Sequence, residues 1–272
     1  MNISKIILTA VMLVFGILFF LPFIWMISTS FKFEQDVFNY PIEWIPSRFN
    51  FDNYKEVWGG KYPFYLYYWN TIKVTVLTTF TSVLVSCMAA YGFTKVQFRG
   101  REAMFLVVLA TYMVPYQSII VPQFLLMREL KLFDTHLGLI LLGSFSVLGT
   151  FMLRQFFLGI NKEFMEAAKI DGAGHARIFL NVALPLMRPA IATYAILRFI
   201  WTWNDYQNPL IFLRSDRLYT LQLAMNKFSD IYGQFYSLTM AAAVSAIIPL
   251  LIIFLFGQKQ VIEGIALGGV KG

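Results

Sequence analysis

The sequence predicts an all-α, polytopic membrane protein with six transmembrane helices, and three observations carry that prediction. The 272 residues are 58% hydrophobic and 14% charged, where a soluble domain is nearer a quarter charged. Mean hydropathy is +0.63. Uncharged runs long enough to cross a hydrocarbon core of about 30 Å recur along the chain. The single cysteine, Cys87, excludes a disulfide scaffold. A net charge of +7 suggests nucleic acid in a soluble protein, but basic residues flanking apolar spans are how helices orient in a bilayer. No Lys/Arg cluster interleaved with aromatics suits a phosphate backbone, so the lipid bilayer is the expected surroundings and no nucleic-acid partner is expected.

Residues 1–272 read as one transmembrane domain. The first helix is placed near 6–31, a run free of Asp, Glu, Lys and Arg. A cleaved signal has an apolar region of only about 7–15 residues followed by small residues; Pro22 and Trp25 stand there instead, so the helix is read as uncleaved. Segment 32–65 mixes charges with Pro41, Pro46, Trp44 and Trp58 and reads as a partly ordered external loop against the membrane surface. The second helix is placed at 66–94, of which 74–94 is uncharged, and a short basic loop with Lys95, Arg99 and Arg101 follows. The third, 103–127, is interrupted by Pro115 and Pro122, breaks that a membrane helix tolerates where neighbours re-satisfy the freed carbonyls. The fourth, 137–158, carries Gly138, Gly143 and Gly149, which permit close helix approach. The fifth is placed at 190–213 and the sixth at 237–256, leaving 257–272 as a tail. With the long first loop set aside, Lys and Arg number 11 on the side of the termini and 5 on the other. That bias puts both termini, segment 160–189 and the tail in the cytoplasm.

The polar interruption between helices four and five is the most informative stretch. Residues 162–170 are mainly good helix formers, Asp171-Gly172-Ala173-Gly174 supplies a turn, and Ile178, Phe179 and Val182 share one face of a second short helix that Pro185 ends. Pro189 suits the first turn of the fifth span. The spacing Glu166-Ala167-Ala168, three residues, Gly172, nine residues, Val182, one residue, Leu184-Pro185 resembles the EAA loop of permease subunits of binding-protein-dependent ABC importers. Val182 stands where that pattern has Ile. The likeness runs along nearly the whole chain. The six-span layout, Met113-Val114-Pro115, Ile120-Val121-Pro122, Trp203-Asn204-Asp205, Pro209-Leu210 and Val270-Lys271-Gly272 are similar to the carbohydrate class, and within it to the MalG-like permeases of maltose-type transporters.

The resemblance implies a type I ABC importer permease fold and import of a sugar or oligosaccharide across a bacterial or archaeal cytoplasmic (inner) membrane by alternating access. It implies a non-catalytic chain with no cofactor of its own, ATP and Mg being bound by partner ATPase subunits. The implied partners are a second homologous permease in a heterodimer, two ATPases and an extracellular or periplasmic solute-binding protein. In such a loop Phe164 and Met165 fill an apolar groove of the ATPase, and Glu166 faces a basic partner residue. Ala167 and Ala168 allow close approach, Asp171 and Gly172 make the turn, and Leu184-Pro185 close the motif. The tail either reaches between the paired ATPases or is a frayed terminus.

Polar residues inside spans usually face the bundle interior or a water-filled cavity. Arg198, Thr202 and Asp205 fall at i, i+4 and i+7 on one face, flanked by Trp201, with Asn204 and Asn208 on a neighbouring face, and Trp203 is counted with them in the expected path. Tyr112, Tyr116, Gln117 and Gln123 cluster around the two prolines of the third span. Aromatic faces with amide donors suit a sugar, and a substrate path along these residues is expected; Arg198 alternatively neutralises Asp205 or attracts an anionic sugar. There is no G-x-x-x-x-G-K-[ST] phosphate loop, no His/Cys/acid set at ligand spacing and no G-x-S-x-G elbow, which disfavours an enzyme and any metal site. The rival readings are an ABC permease for a non-sugar solute such as glycerol phosphate, and an ion-coupled secondary transporter, which would usually carry inverted repeats.

Overall fold

In the computed structural model, which describes residues 3–230 and 233–269, the chain is helical along most of its length. Helix α1 (Ile3–Ser30) is followed by a loop that contains α2 (Asp52–Gly59), and then by the long α3 (Phe64–Lys95). Helices α4 (Arg101–Thr111) and α5 (Tyr116–Glu129) form a bent pair, as do α6 (His136–Ser144) and α7 (Val147–Gly159). Helix α8 (Glu163–Ile170), α9 (His175–Ile178), a π turn at Phe179–Ala183 and α10 (Leu184–Leu186) lead into α11 (Arg188–Trp203). Helices α12 (Gln207–Phe212) and α13 (Leu221–Ala224) and a two-residue antiparallel ladder, β1 (Ser229–Asp230) with β2 (Gly233–Gln234), precede α14 (Tyr236–Gly269). Among the described residues three helices are long and apolar enough to cross a membrane, and up to six spans result if each bent pair is one.

The breaks have local causes. Helices α4 and α5 meet at 96°, because Pro115 lacks the N–H that would continue α4 and takes an extended ψ of 132° at the start of α5. Pro122, expected to interrupt the same span, lies inside α5 without ending it; a lone proline removes one ladder bond, which a membrane helix tolerates. Helices α6 and α7 bend by 41°, and each starts on a hydroxyl cap: Gly138 N–H donates to Thr135 Oγ1 and Gly149 N–H to Ser146 Oγ, both at 3.0 Å.

Three expectations are corrected. The fifth span does not run over 190–213: α11 begins at Arg188 with Pro189 in its first turn, ends at Trp203, and residues 207–212 form the separate α12. Pro185 does not end the second loop helix but sits in the first turn of α10, where a missing N–H is harmless. That stretch then bends by 78° into α11. Residues beyond 256 are not a loose tail, since α14 continues to Gly269; residues 258–263 are mostly good helix formers, and an isolated Gly costs only about 1 kcal/mol. Val270-Lys271-Gly272 lies outside the described residues.

Two compact units are formed, Met1–Tyr68 with Ala224–Pro249 and Trp69–Leu223 with Leu250–Gly272. In the first, the loop after α1 is well tied down. Asn53 Nδ2 donates to Ser30 O (2.9 Å) and Lys32 O (2.8 Å), and the buried Lys32 ammonium lies 4.4 Å over the Trp25 ring. Glu34 caps α14, its carboxylate accepting from Tyr236 N–H (2.8 Å), Ser237 N–H (2.9 Å) and Ser237 Oγ (2.6 Å), an anion at the positive end of a helix. In the second unit, one core joins Tyr91 of α3, Phe157 of α7, Met165 of α8, Ile178 and Met187 of the following turns and Tyr194 of α11. Another joins Val74, Met127, Leu139 and Phe212. Asp134, between α5 and α6, fastens the segment after α12: its carboxylate accepts from Arg214 N–H (2.8 Å), Ser215 N–H (2.9 Å) and Ser215 Oγ (2.5 Å). Burial pushes this carboxyl up, but the bonds from Ser215 and Arg214, with the Arg217 charge nearby, outweigh it and hold it below the ordinary carboxylate range.

Candidate coupling loop and translocation cavity

Helix α8 is a short elbow with two unlike faces. Met165 is buried in the core that joins α3, α7 and α11, with Ala168 packed against its rim. Opposite it Phe164, Glu166, Ala167 and Ile170 are exposed. Glu163 and Glu166 lie in its first turn and Lys169 in its last, each sign at the end of the helix that favours it. The helix ends in a Schellman cap. Gly172, at φ +80°, allows Ala173 N–H to reach Ala168 O (2.9 Å) while Gly172 N–H reaches Lys169 O (3.0 Å). Ala173 and Ala168 both lie against the core, the apolar contact that accompanies this cap. The elbow is therefore held from behind and presents Phe164, Glu166, Ala167 and Ile170 outward.

The placement revises the sequence reading at particular residues. Met165 is no groove filler, because its side chain anchors α8 to the chain's own core. Asp171 is the exposed C-cap of α8, and Leu184 is half-buried against the same core while Pro185 is exposed beside it. Helices α7 and α4 are tied by charge: buried Arg154 of α7 pairs with Glu102 at 2.7 Å and lies 4.0 Å over the Phe105 ring of α4.

A cavity of about 200 Å³ lies among α3, α5, α6 and the segment from α11 to Thr220. Arg198, Thr202 and Asp205 line it together, with Trp201 and Tyr116. Arg198 Nη2 donates to Gly143 O at 2.5 Å. A side chain at position 143 would collide with Thr78 and Arg198, so only glycine lets the guanidinium in. Asp205 accepts from Asn208 N–H (3.1 Å) and Asn208 Nδ2 (2.7 Å), and Tyr116 donates to Asn208 Oδ1. Among the described residues Arg198 forms no ion pair within 4.0 Å.

Other predicted path residues lie elsewhere. Tyr112 is 65% exposed and Gln117 is exposed, both outside the cavity lining. Trp203 is fully buried and stacks on Phe199 (5.7 Å between centroids). Asn204 ends α11, donating to Ile200 O at 2.9 Å. The residues that the sequence reading missed are Thr71, Thr75 and Thr78 of α3, with Thr220. Their signal was present, since 71, 75 and 78 recur at i, i+4 and i+7 along one face of α3.

Comparison with known proteins places this geometry among relatives. Residues 82–265 match the family described as binding-protein-dependent transport system inner membrane component. The chain is 34% identical over 253 residues to the arabinooligosaccharides transport system permease protein AraQ of Halalkalibacterium halodurans, covering 92% of this chain and 91% of that one. It is 32% identical over 275 residues to AraQ of Bacillus subtilis, covering 100% and 97%. Its fold is similar to a chain in the crystal structure of a bacterial ABC transporter involved in the import of the acidic polysaccharide alginate. That match has a TM-score of 0.85 at 27% identity and covers 94% of this chain and 96% of that chain.

Proposed function

The chain belongs to the family of binding-protein-dependent transport system inner membrane components, and from that premise we propose that it carries a sugar or oligosaccharide through an ATP-driven ABC importer. The observation that carries this reading is the outward face of α8, where Phe164, Glu166, Ala167 and Ile170 stand exposed on an elbow anchored from behind by Met165. That face suits a cleft on a cytoplasmic ATPase. The chain pairs with a second, related permease and with two such ATPases, which bind ATP and Mg; a binding protein delivers the sugar outside. Both termini and α8 lie in the cytoplasm. Closure of the ATPases on ATP moves the elbow and re-packs the spans between inward-open and outward-open states, a two-state switch. The solute passes along the face of α11 that presents Arg198, Thr202 and Asp205. The relatives' names favour a sugar over glycerol phosphate, and family membership sets the ion-coupled carrier aside.

The test is uptake by the importer purified with its partners and reconstituted into vesicles. Arabino-oligosaccharide uptake is expected only with ATP on the α8 side, and Glu166→Ala is expected to lower it about 10-fold or more while ATP hydrolysis continues. Ala167→Cys is expected to react with an impermeant thiol probe only from the cytoplasmic face, the native Cys87 being buried. Uptake driven by an ion gradient without ATP, or labelling only from outside, overturns the reading.

A further inference from the structure

Resting on the permease reading, we infer that α4 is a moving arm, held to α7 in this structure by a clasp of Arg154 on Glu102 and Phe105 that opens when the importer changes state. Helix α4 is lightly attached. Of its 11 residues only Phe105 is buried; Val108 and Leu109 are half-buried, and Met104, Leu106 and Val107 are exposed. Phe93 of α3 touches the same Phe105 ring, with 5.4 Å between centroids. Each end of the arm carries a joint. Gly100, which caps its start, is left-handed at φ +81°, and beyond its end the exposed Met113-Val114-Pro115 stretch turns through 96° into α5. Few buried side chains mark a segment that opens at low cost, and hinges are a few residues at element ends that absorb the backbone change.

The clasp has the chemistry of a contact that can be made and unmade. Arg154 Nη2 donates to Glu102 Oε2 at 2.7 Å, and the same guanidinium lies 4.0 Å over the Phe105 ring. Residues 102 and 105 are one turn apart, so a single side chain of α7 holds both. Glu102 is exposed, and an ion pair open to water on one side adds little net stability. Nor is Glu102 left unpaired when the arm leaves. Arg101, which travels with it, already donates to Glu102 Oε1 from Nε (3.2 Å) and Nη2 (3.1 Å). Phe105 covers Arg154, so the movement that removes Glu102 also opens the guanidinium to water. Two arrangements close in free energy are what a switch needs. Helix α7 also meets the elbow: Phe157, one turn beyond Arg154, is buried in the core that holds Met165 of α8. A displacement of α8 has a packed route to the clasp.

The importer assembled with its partners in lipid nanodiscs tests this, with Cys87→Ala and spin labels on Val107→Cys of α4 and Leu158→Cys of α7. Pulsed dipolar spectroscopy reads the separation of the labels without nucleotide and with ATP and orthovanadate. Two separations are expected, differing by roughly 5 Å, with nucleotide changing which one dominates. Glu102→Gln keeps the side-chain volume and removes the charge. It is expected to raise the population with the longer separation about 5-fold or more in both conditions, and to lower sugar imported per ATP hydrolysed by a similar factor. Phe105→Leu keeps an apolar residue but takes the ring from the guanidinium, and is expected to act in the same direction by about 2-fold. A static tie between helices predicts instead a lower Tm in both variants with one separation throughout. A single separation unmoved by nucleotide, or populations unchanged in both variants, overturns the clasp. ATP-driven uptake that persists in that case leaves the permease reading standing; two separations without ATP-driven uptake by the parent importer count against the permease reading alone.

Discussion

On α8, Phe164 and Ile170 stand 54% and 87% exposed, while near Arg198 the hydroxyls of Thr75, Thr78 and Thr220 are sealed from solvent and have no hydrogen-bond partner among the described residues. The elbow shows apolar side chains to water, and the cavity hides polar ones inside a bundle of apolar helices. Both arrangements cost the isolated chain stability. A protein surface covers exposed aromatic and aliphatic groups such as those of α8. Exposed apolar groups clustered on a polar segment and buried polar groups without partners are both departures from ordinary packing.

Substitutions on neighbouring residues of the elbow sharpen this contrast most. Met165→Ala removes an anchor from the core, and the chain is expected to lose roughly 2–5 kcal/mol of unfolding free energy in denaturant titration. Phe164→Ser with Ile170→Ser is expected to change that stability by under about 0.5 kcal/mol, yet to lower ATP-coupled uptake about 10-fold or more. Equal stability losses for the inward and outward residues would break the distinction between the two faces.

A smaller effect is expected at the cap that orients the elbow. Gly172→Ala places a Cβ at φ +80° and is expected to cost roughly 1–2 kcal/mol, with Gly172→Asn milder because Asn tolerates the left-handed region. Loss of helix protection across 163–170 in hydrogen exchange checks it. The smallest effect is expected at Asp134, where ordinary packing and pairing hold and no outside occupant is needed. Its carboxyl sits below the usual range in the folded chain, so its contribution is present above the unfolded value of about 3.9 and is lost as pH falls through the lower folded value. Asp134→Asn is expected to lower Tm slightly at pH 7, with the gap from the parent chain closing below about pH 3.9. A gap that stays constant with pH would show that the carboxylate charge plays no part.

Much of the elbow is legible in the sequence. Glu166-Ala167-Ala168 and Gly172 stand at a spacing that predicts a helix, a left-handed residue and a second turn, because capping is a local matter of a few residues. Met165 was misread for an equally physical reason. Helical spacing shows that it and Phe164 point apart, but the direction of the core depends on Phe157, Ile178 and Met187. The cavity was half legible: the i, i+4, i+7 set on α11 was found, whereas Trp203 was assigned to it and Thr75 and Thr78 were not. Threonine is common in membrane helices, and only the approach of Gly143 to Thr78 and Arg198 turns that stripe into a lining.

The order of residues alone determined that this chain enters a bilayer, roughly where its apolar runs begin and end, and that a polar elbow interrupts them. Those properties follow from composition and from hydrogen bonding over one or two turns. Tertiary structure decided which way Met165 and Trp203 face, how sharply the third span turns at Pro115, and which unpaired hydroxyls meet around Arg198. These depend on contacts between residues far apart in the chain, whose pairing no local periodicity records.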